Sequence, residues 1–172
     1  MIDCSSTTPP SRRPKLPSSD GAARGPRVEH RASVSASAAG ASALHAALAA
    51  FWSACDAQGV PAGPWRDAFA TALGEIVANS SKHACQSAPE AEISLLLTCD
   101  QHTVAAVVED RCLPFTRGLD LPMPIADAKL DVAEEGRGLA IARALLDELA
   151  YQRTPDGTNV WTLNLSVPAA TA

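Results

Sequence analysis

The sequence predicts an α+β domain. It is a two-layer α/β sandwich in which a mixed, mainly antiparallel sheet is covered by helices on one face. Three observations lead there. Two apolar segments, 91–99 and 103–109, are separated only by Asp100-Gln101-His102, which is hairpin spacing. Residues 160–167, "VWTLNLSV", alternate strictly, with Trp161, Leu163, Leu165 and Val167 on one face of a closing strand. Between the strands lie segments whose apolar residues recur at the helical period.

Taken in order, residues 27–37 alternate loosely and predict a first strand. Residues 40–58 carry Leu44, Leu48, Phe51, Trp52 and Cys55 at helical spacing, and Gly59 and the prolines at 61 and 64 end that helix. A second helix is expected over 65–85, followed by the hairpin. Residues 116–135, with Pro122 and Pro124, show no period and predict a long irregular loop, a feature that in compact domains usually serves function. Residues 138–151 predict a third helix, with Leu139, Ile141, Ala142, Leu145, Leu146 and Leu149 on its apolar side. Asp156-Gly157 marks the turn into the closing strand.

The chain of 172 residues suits one domain. Residues 1–26, rich in Ser, Pro, Thr, Arg and Gly, predict a disordered leader; 27–168 form the domain and 169–172 a tail. A net charge of −5 argues against a general nucleic-acid binder. No uninterrupted apolar stretch is long enough to predict a membrane span. The five cysteines include no C-x-x-C pair, which argues against structural zinc; their scatter suggests a reducing cytoplasm without disulfides.

Three segments carry candidate chemistry. On a helical wheel, Glu75, Asn79, Lys82 and His83 fall at roughly 0°, 40°, −20° and 80°, bordering an apolar face of Phe69, Leu73, Ile76 and Ser80. Such a border either walls a cleft or is a snorkelling polar edge. Gly136 and Gly138 precede an apolar helix, an arrangement that suits an anion at a helix N-terminus and equally a flexible helix entry. Neither the P-loop nor the dinucleotide fingerprint is present. Asp110 follows an apolar strand and is either a hydrogen-bond acceptor in a pocket or a strand end before the turn at Pro114.

The order and spacing of the three resemble the GHKL ATP-binding fold of histidine kinases, ninety-kilodalton heat-shock chaperones and type II topoisomerases. The bacterial anti-sigma serine/threonine kinases are most similar. An N box of the form E-x-x-x-N-x-x-x-H-A stands here as Glu75, Asn79, His83 and Ala84. A first glycine box is matched by Asp110, Pro114 and Phe115. A second is matched by Gly136, Arg137, Gly138, Leu139 and Ile141, with Asp147 and Tyr151 downstream.

The resemblance implies ATP and Mg²⁺ as ligands. Glu75 would be the general base and Asn79 the Mg²⁺ ligand. Asp110 would accept a hydrogen bond from the adenine amine. Gly136, Arg137, Gly138 and Leu139, with Pro114 of the first box, would line the nucleotide. Lys82 stands where histidine kinases often carry a phosphate-contacting lysine, and His83 reads as structural. These roles suit phosphoryl transfer, which needs positioning and charge neutralisation more than covalent help.

One position departs from the pattern. The first-box glycine is Cys112 here, and a cysteine forced to positive φ would cost on the order of 1 kcal/mol, or several-fold in nucleotide affinity.

The leading expectation is a cytoplasmic ATP-dependent protein serine/threonine kinase in a partner-switching system. It would bind a sigma factor or other effector and phosphorylate an antagonist protein, with homodimerisation left open. The alternatives are a sequestering module of the same fold without useful catalysis, and a detached ATP-binding half of a histidine kinase. The last lacks a preceding helical hairpin with a phosphoacceptor histidine.

Overall fold

A computed structural model gives the structure, which describes residues 27–115 and 134–169. The elements are β1 (Val28–Ser35), α1 (Ala39–Ala57), α2 (Pro64–Asn79), a π-helical turn (Ser80–Ala84), β2 (Glu92–Cys99), β3 (Thr103–Asp110), α3 (Glu134–Leu145), β4 (Glu148–Arg153) and β5 (Asn159–Ser166). The predicted leader lies outside the described residues, as do residues 116–133 of the expected loop and the end of the tail.

The five strands form one sheet in the order β1-β2-β3-β5-β4. Every pairing is antiparallel, so the mixed sheet expected from the sequence is antiparallel throughout the described residues. Cross-strand register places Ala32, Leu95, Val108, Trp161 and Tyr151 in one row across all five strands. That row faces the helices and joins the core. Its side chains alternate out of the pleat with period two, which is why the strict alternation of β5 was readable.

The helices supply the other half of the core. Leu44, Leu48, Phe51 and Cys55 of α1 and Phe69, Leu73 and Ile76 of α2 are buried at intervals of three and four residues. Full burial of each large side chain contributes about 1.5–3 kcal/mol. Pro64 starts α2 at a position whose N–H needs no partner, and Asp67 in the first turn favours the helix dipole. At the start of α1, a Cβ on Gly40 would collide with the backbone carbonyl of Ser35, so only glycine lets the helix leave β1 so tightly. The hairpin turn is closed by Asp100, whose Oδ1 accepts from the backbone N–H of His102 (2.8 Å) and Thr103 (2.9 Å).

The third helix differs from its prediction at both ends. It begins at Glu134, inside the segment expected to be loop, and stops at Leu145; Glu148–Arg153 is a strand, not the helix end. Leu145, Leu146 and Leu149 fit a helical period, but Leu149 and Tyr151 also alternate. Pairing with β5 covers what would otherwise be an open sheet edge and turns both residues toward the core. Tertiary pairing outweighs a weak local helix preference here.

Candidate functional site

The three segments singled out in the sequence converge where α2 ends, β3 ends and α3 begins. Glu75 is half-buried on α2, and a Cβ on Gly138 would collide with its carboxylate. The second glycine box therefore lies directly against the first residue of the N box. Gly138 is what allows α3 to approach that closely.

Asn79 is the last residue of α2, one helical turn beyond Glu75. Its Nδ2 and the adjacent Ser80 Oγ are buried without a hydrogen-bond partner among the described residues. The helix then widens into the π turn, closed by the Cys85 N–H donating to the Ser80 carbonyl (2.8 Å). Single π turns inside helices recur at functional sites because they leave groups near them unspent. Lys82 on this turn is exposed and His83 half-buried.

Asp110 ends β3 and is 2% exposed. Its two oxygens differ. Oδ1 accepts from Asn159 Nδ2 (2.7 Å) and from the Cys112 backbone N–H (3.0 Å). Oδ2 is buried with no partner among the described residues. A buried carboxylate oxygen left unsatisfied costs free energy unless a ligand supplies the donor. The carboxylate is thus held by one oxygen and offers the other.

The holding network was not anticipated from the sequence. Asn159 opposes Asp110 in the β3–β5 register and Arg153 opposes Asn159 in the β4–β5 register. Asn159 is 1% exposed. Its Nδ2 also donates to the Leu113 carbonyl (2.9 Å), while its Oδ1 accepts from the Tyr151 hydroxyl (2.9 Å) and Arg153 Nη1 (2.6 Å). Arg153 Nη1 donates to the Cys112 carbonyl (3.0 Å) as well, and the Tyr151 hydroxyl accepts from the Phe115 backbone N–H (2.9 Å). Phe115 stacks edge-on against Tyr151 and Trp161. The network fixes residues 110–115 onto β4 and β5. A signal existed: Asn159 lies in phase with Trp161 and Leu163, a polar residue on the core-facing side of an apolar strand.

Cys112 is bonded to Cys85 in a disulfide, with a sequence separation of 27. This corrects the expectation of a chain without disulfides, Cys55 and Cys99 being the unpaired cysteines among the described residues. Both sulfurs lie within 4.8 Å of an Asp110 carboxylate oxygen.

The remaining predicted site residues are placed as follows. Pro114 is exposed in the turn beyond Asp110. Gly136 is in the first turn of α3, and Arg137 is exposed beside it. Leu139, 8% exposed, packs in the core beneath that turn. Away from the site, hydrogen bonding with Cys99 holds the buried Cys55 thiol below its usual range, and the same contact raises Cys99. Asp147 is held below the usual carboxylate range by Ser166, first by its hydroxyl and then by its backbone N–H, which donates to the Asp147 carboxylate at 2.6 Å.

Asn79 suits a divalent cation of the hard kind. Its carboxamide carries an unpartnered atom, and an amide presents either oxygen or nitrogen by a simple flip. Mg²⁺ takes few protein ligands and keeps several waters, so a single amide oxygen can serve.

Against known proteins, the sequence model of the histidine kinase-like ATPase domain matches residues 36–163, from the end of β1 through the middle of β5. No curated protein matches the chain. Among the described residues no helix is long and apolar enough to cross a membrane.

Proposed function

Because the chain belongs to the histidine kinase-like ATPase domain family, we propose that it binds ATP and transfers a phosphoryl group to a serine or threonine of a protein substrate. The observation that carries the nucleotide reading is the unspent Oδ2 of Asp110, buried and without a hydrogen-bond donor among the described residues. An exocyclic amine such as that of adenine satisfies it.

The chain's residues then divide the work. Asp110 selects the base by accepting a hydrogen bond. Asn79 would hold Mg²⁺, which when bound neutralises charge on the phosphates. The first turn of α3 offers backbone N–H groups and the positive end of its dipole to anionic oxygens. Glu75, set against that turn, accepts the proton of the attacking hydroxyl. Lys82, exposed on the π turn, is free to reach outward toward phosphate.

The partners proposed are an antagonist protein as phosphoacceptor and a sigma factor or similar effector as the protein sequestered, in a cytoplasmic partner-switching pathway. Retention of Glu75 beside the nucleotide motifs supports the kinase reading over pure sequestration. Radiolabelled ATP with a candidate antagonist tests it. Wild type should transfer label. Glu75→Ala should lose about a hundredfold or more in rate while still binding ATP. Transfer unaffected by that substitution refutes the role of Glu75, and no transfer to any antagonist refutes the kinase reading.

A second reading, a module that sequesters its partner without useful catalysis, draws on Cys112. Its side chain is tied into a disulfide where the family pattern has a glycine, which narrows the room beside Asp110. Calorimetry separates the two: tight, Mg²⁺-dependent ATP binding counts against the second.

A further inference from the structure

The Cys85–Cys112 bond joins the two motifs that the nucleotide reading depends on. Cys85 follows the π turn that ends the Glu75–Asn79 helix, and Cys112 lies two residues beyond Asp110. Cys85 is 1% exposed, whereas Cys112 is half-buried and so the less enclosed of the two bonded residues. The other two described cysteines, Cys55 and Cys99, are buried in the core, 0% and 1% exposed, and lie on α1 and β2.

We propose that this disulfide is a reversible redox modification site that sets the nucleotide affinity of the site, with a small dithiol as its reductant class and a peroxide as its oxidant class. The inference rests on the reading of Asp110 as the adenine acceptor. Its physical basis is what each state presents to Asp110 Oδ2. In the bonded state neither sulfur carries a proton, so neither can donate, and Oδ2 stays unspent. The bond also pins the 110–112 turn, in which the Cys112 N–H donates to Oδ1 (3.0 Å). Reduction places two S–H donors within 4.8 Å of that carboxylate. A thiol can then rotate to donate to Oδ2, and an incoming amine has to displace it.

The chemistry balances. A thiolate of the reductant attacks Sγ of Cys112, the less buried of the two residues; the Cys112–Cys85 bond breaks and Cys85 leaves as a thiolate that takes a proton from water. The second thiolate of the reductant attacks the mixed disulfide, releases Cys112 as a thiol after protonation, and closes as a cyclic disulfide. In the reverse direction one thiolate attacks a peroxide oxygen and the O–O bond breaks, giving a sulfenic acid and, for hydrogen peroxide, hydroxide that takes the proton lost by that thiol and leaves as water. The other thiolate attacks the sulfenic sulfur, the S–O bond breaks, and the departing hydroxide takes the second thiol's proton as water while the disulfide is restored.

The test measures Mg·ATP binding to the full chain by calorimetry, before and after dithiothreitol. The redox state of Cys85 and Cys112 is established by alkylation and peptide mass mapping. One competing hydrogen bond of ordinary net strength corresponds to about fivefold in Kd, so the reduced protein should bind about fivefold more weakly. Peroxide should restore the tighter binding. Cys112→Ser and Cys85→Ser should each bind at the reduced level or weaker and ignore the reductant. Reduction of the wild type keeps the test valid if either variant folds poorly. Equal Kd in both states, with the bond shown to be broken in one, overturns the proposal and leaves the ATP reading standing. A bond that never forms in the isolated chain under peroxide also overturns it. No ATP binding in either state overturns the ATP reading and the redox proposal together.

Discussion

Asn159→Ala isolates the network that holds Asp110. In the wild type Asn159 makes four hydrogen bonds, two through Nδ2 to Asp110 Oδ1 and the Leu113 carbonyl, and two through Oδ1 from Tyr151 and Arg153. The substitution leaves Oδ1 of a carboxylate that is 2% exposed with only the Cys112 N–H. Loss of one bond to a charged group costs about 1.5–3 kcal/mol, and a neutral one adds about 1 kcal/mol. Water admitted to the vacated space and re-pairing of the exposed Arg153 return part of this. The expected loss of unfolding free energy is therefore about 3 kcal/mol, measured by urea denaturation at neutral pH. A double-mutant cycle with Asp110→Asn assigns the coupling, expected at about 1.5 kcal/mol or more, since residues in one buried network are not additive. ATP binding should weaken as well, because the carboxylate is no longer aimed. A loss below about 0.5 kcal/mol, or a cycle that closes to zero, refutes the claim that Asn159 positions Asp110.

Other outcomes follow from the same structure. Breaking the Cys85–Cys112 bond by Cys85→Ser frees a loop of 27 residues in the unfolded chain; the loop-entropy relation gives about 3.6 kcal/mol, or about 10 °C in Tm for a chain of this size, read by thermal denaturation with and without reductant. Gly138→Val should disturb function more than stability, because the Cβ meets the mobile end of Glu75 and not backbone; phosphoryl transfer should fall at least tenfold while Tm moves by a few degrees. Phe69→Ala, at a site 0% exposed, should cost about 3–5 kcal/mol by urea denaturation. Asp147 has a depressed folded pKa, so its contribution is present above the unfolded value of 3.8 and is lost as pH falls through the lower folded value. Asp147→Asn should therefore lower the plateau above about pH 4 slightly and leave stability below the folded value unchanged, so the acid limb flattens; the effect is small because the group is almost fully solvent-screened.

The helices α1 and α2, the hairpin and β5 were legible because each is amphipathic over enough residues for its period to be unambiguous. β4 was not. Its six residues continue a helical pattern, and only the open edge of β5 decides that they extend. The site divides the same way. Glu75, Asn79, Asp110 and Gly138 stand at spacings that local sequence shows. Asn159, Tyr151 and Arg153 reach Asp110 through strand register, which connects residues 49 or fewer positions apart by pairing and not by sequence. The disulfide was hidden for a related reason. Cys85 and Cys112 were each noted, but their adjacency follows only once the end of α2 is laid over the end of β3.

That adjacency also changes the meaning of the missing glycine. A glycine at position 112 would let the backbone adapt to a base at little steric cost. Here the same position is tied on three sides: by the bond to Cys85, by its N–H to Asp110, and by its carbonyl to Arg153. The turn after β3 is therefore set before any ligand arrives, and adaptability is exchanged for a fixed carboxylate. A pocket of that kind loses less conformational freedom on binding, which favours affinity when its shape is right. It tolerates misfit poorly. One of those three ties is a covalent bond that a thiol can open, so the residue that departs from the family pattern is also the one through which the redox state of the surroundings can reach the site.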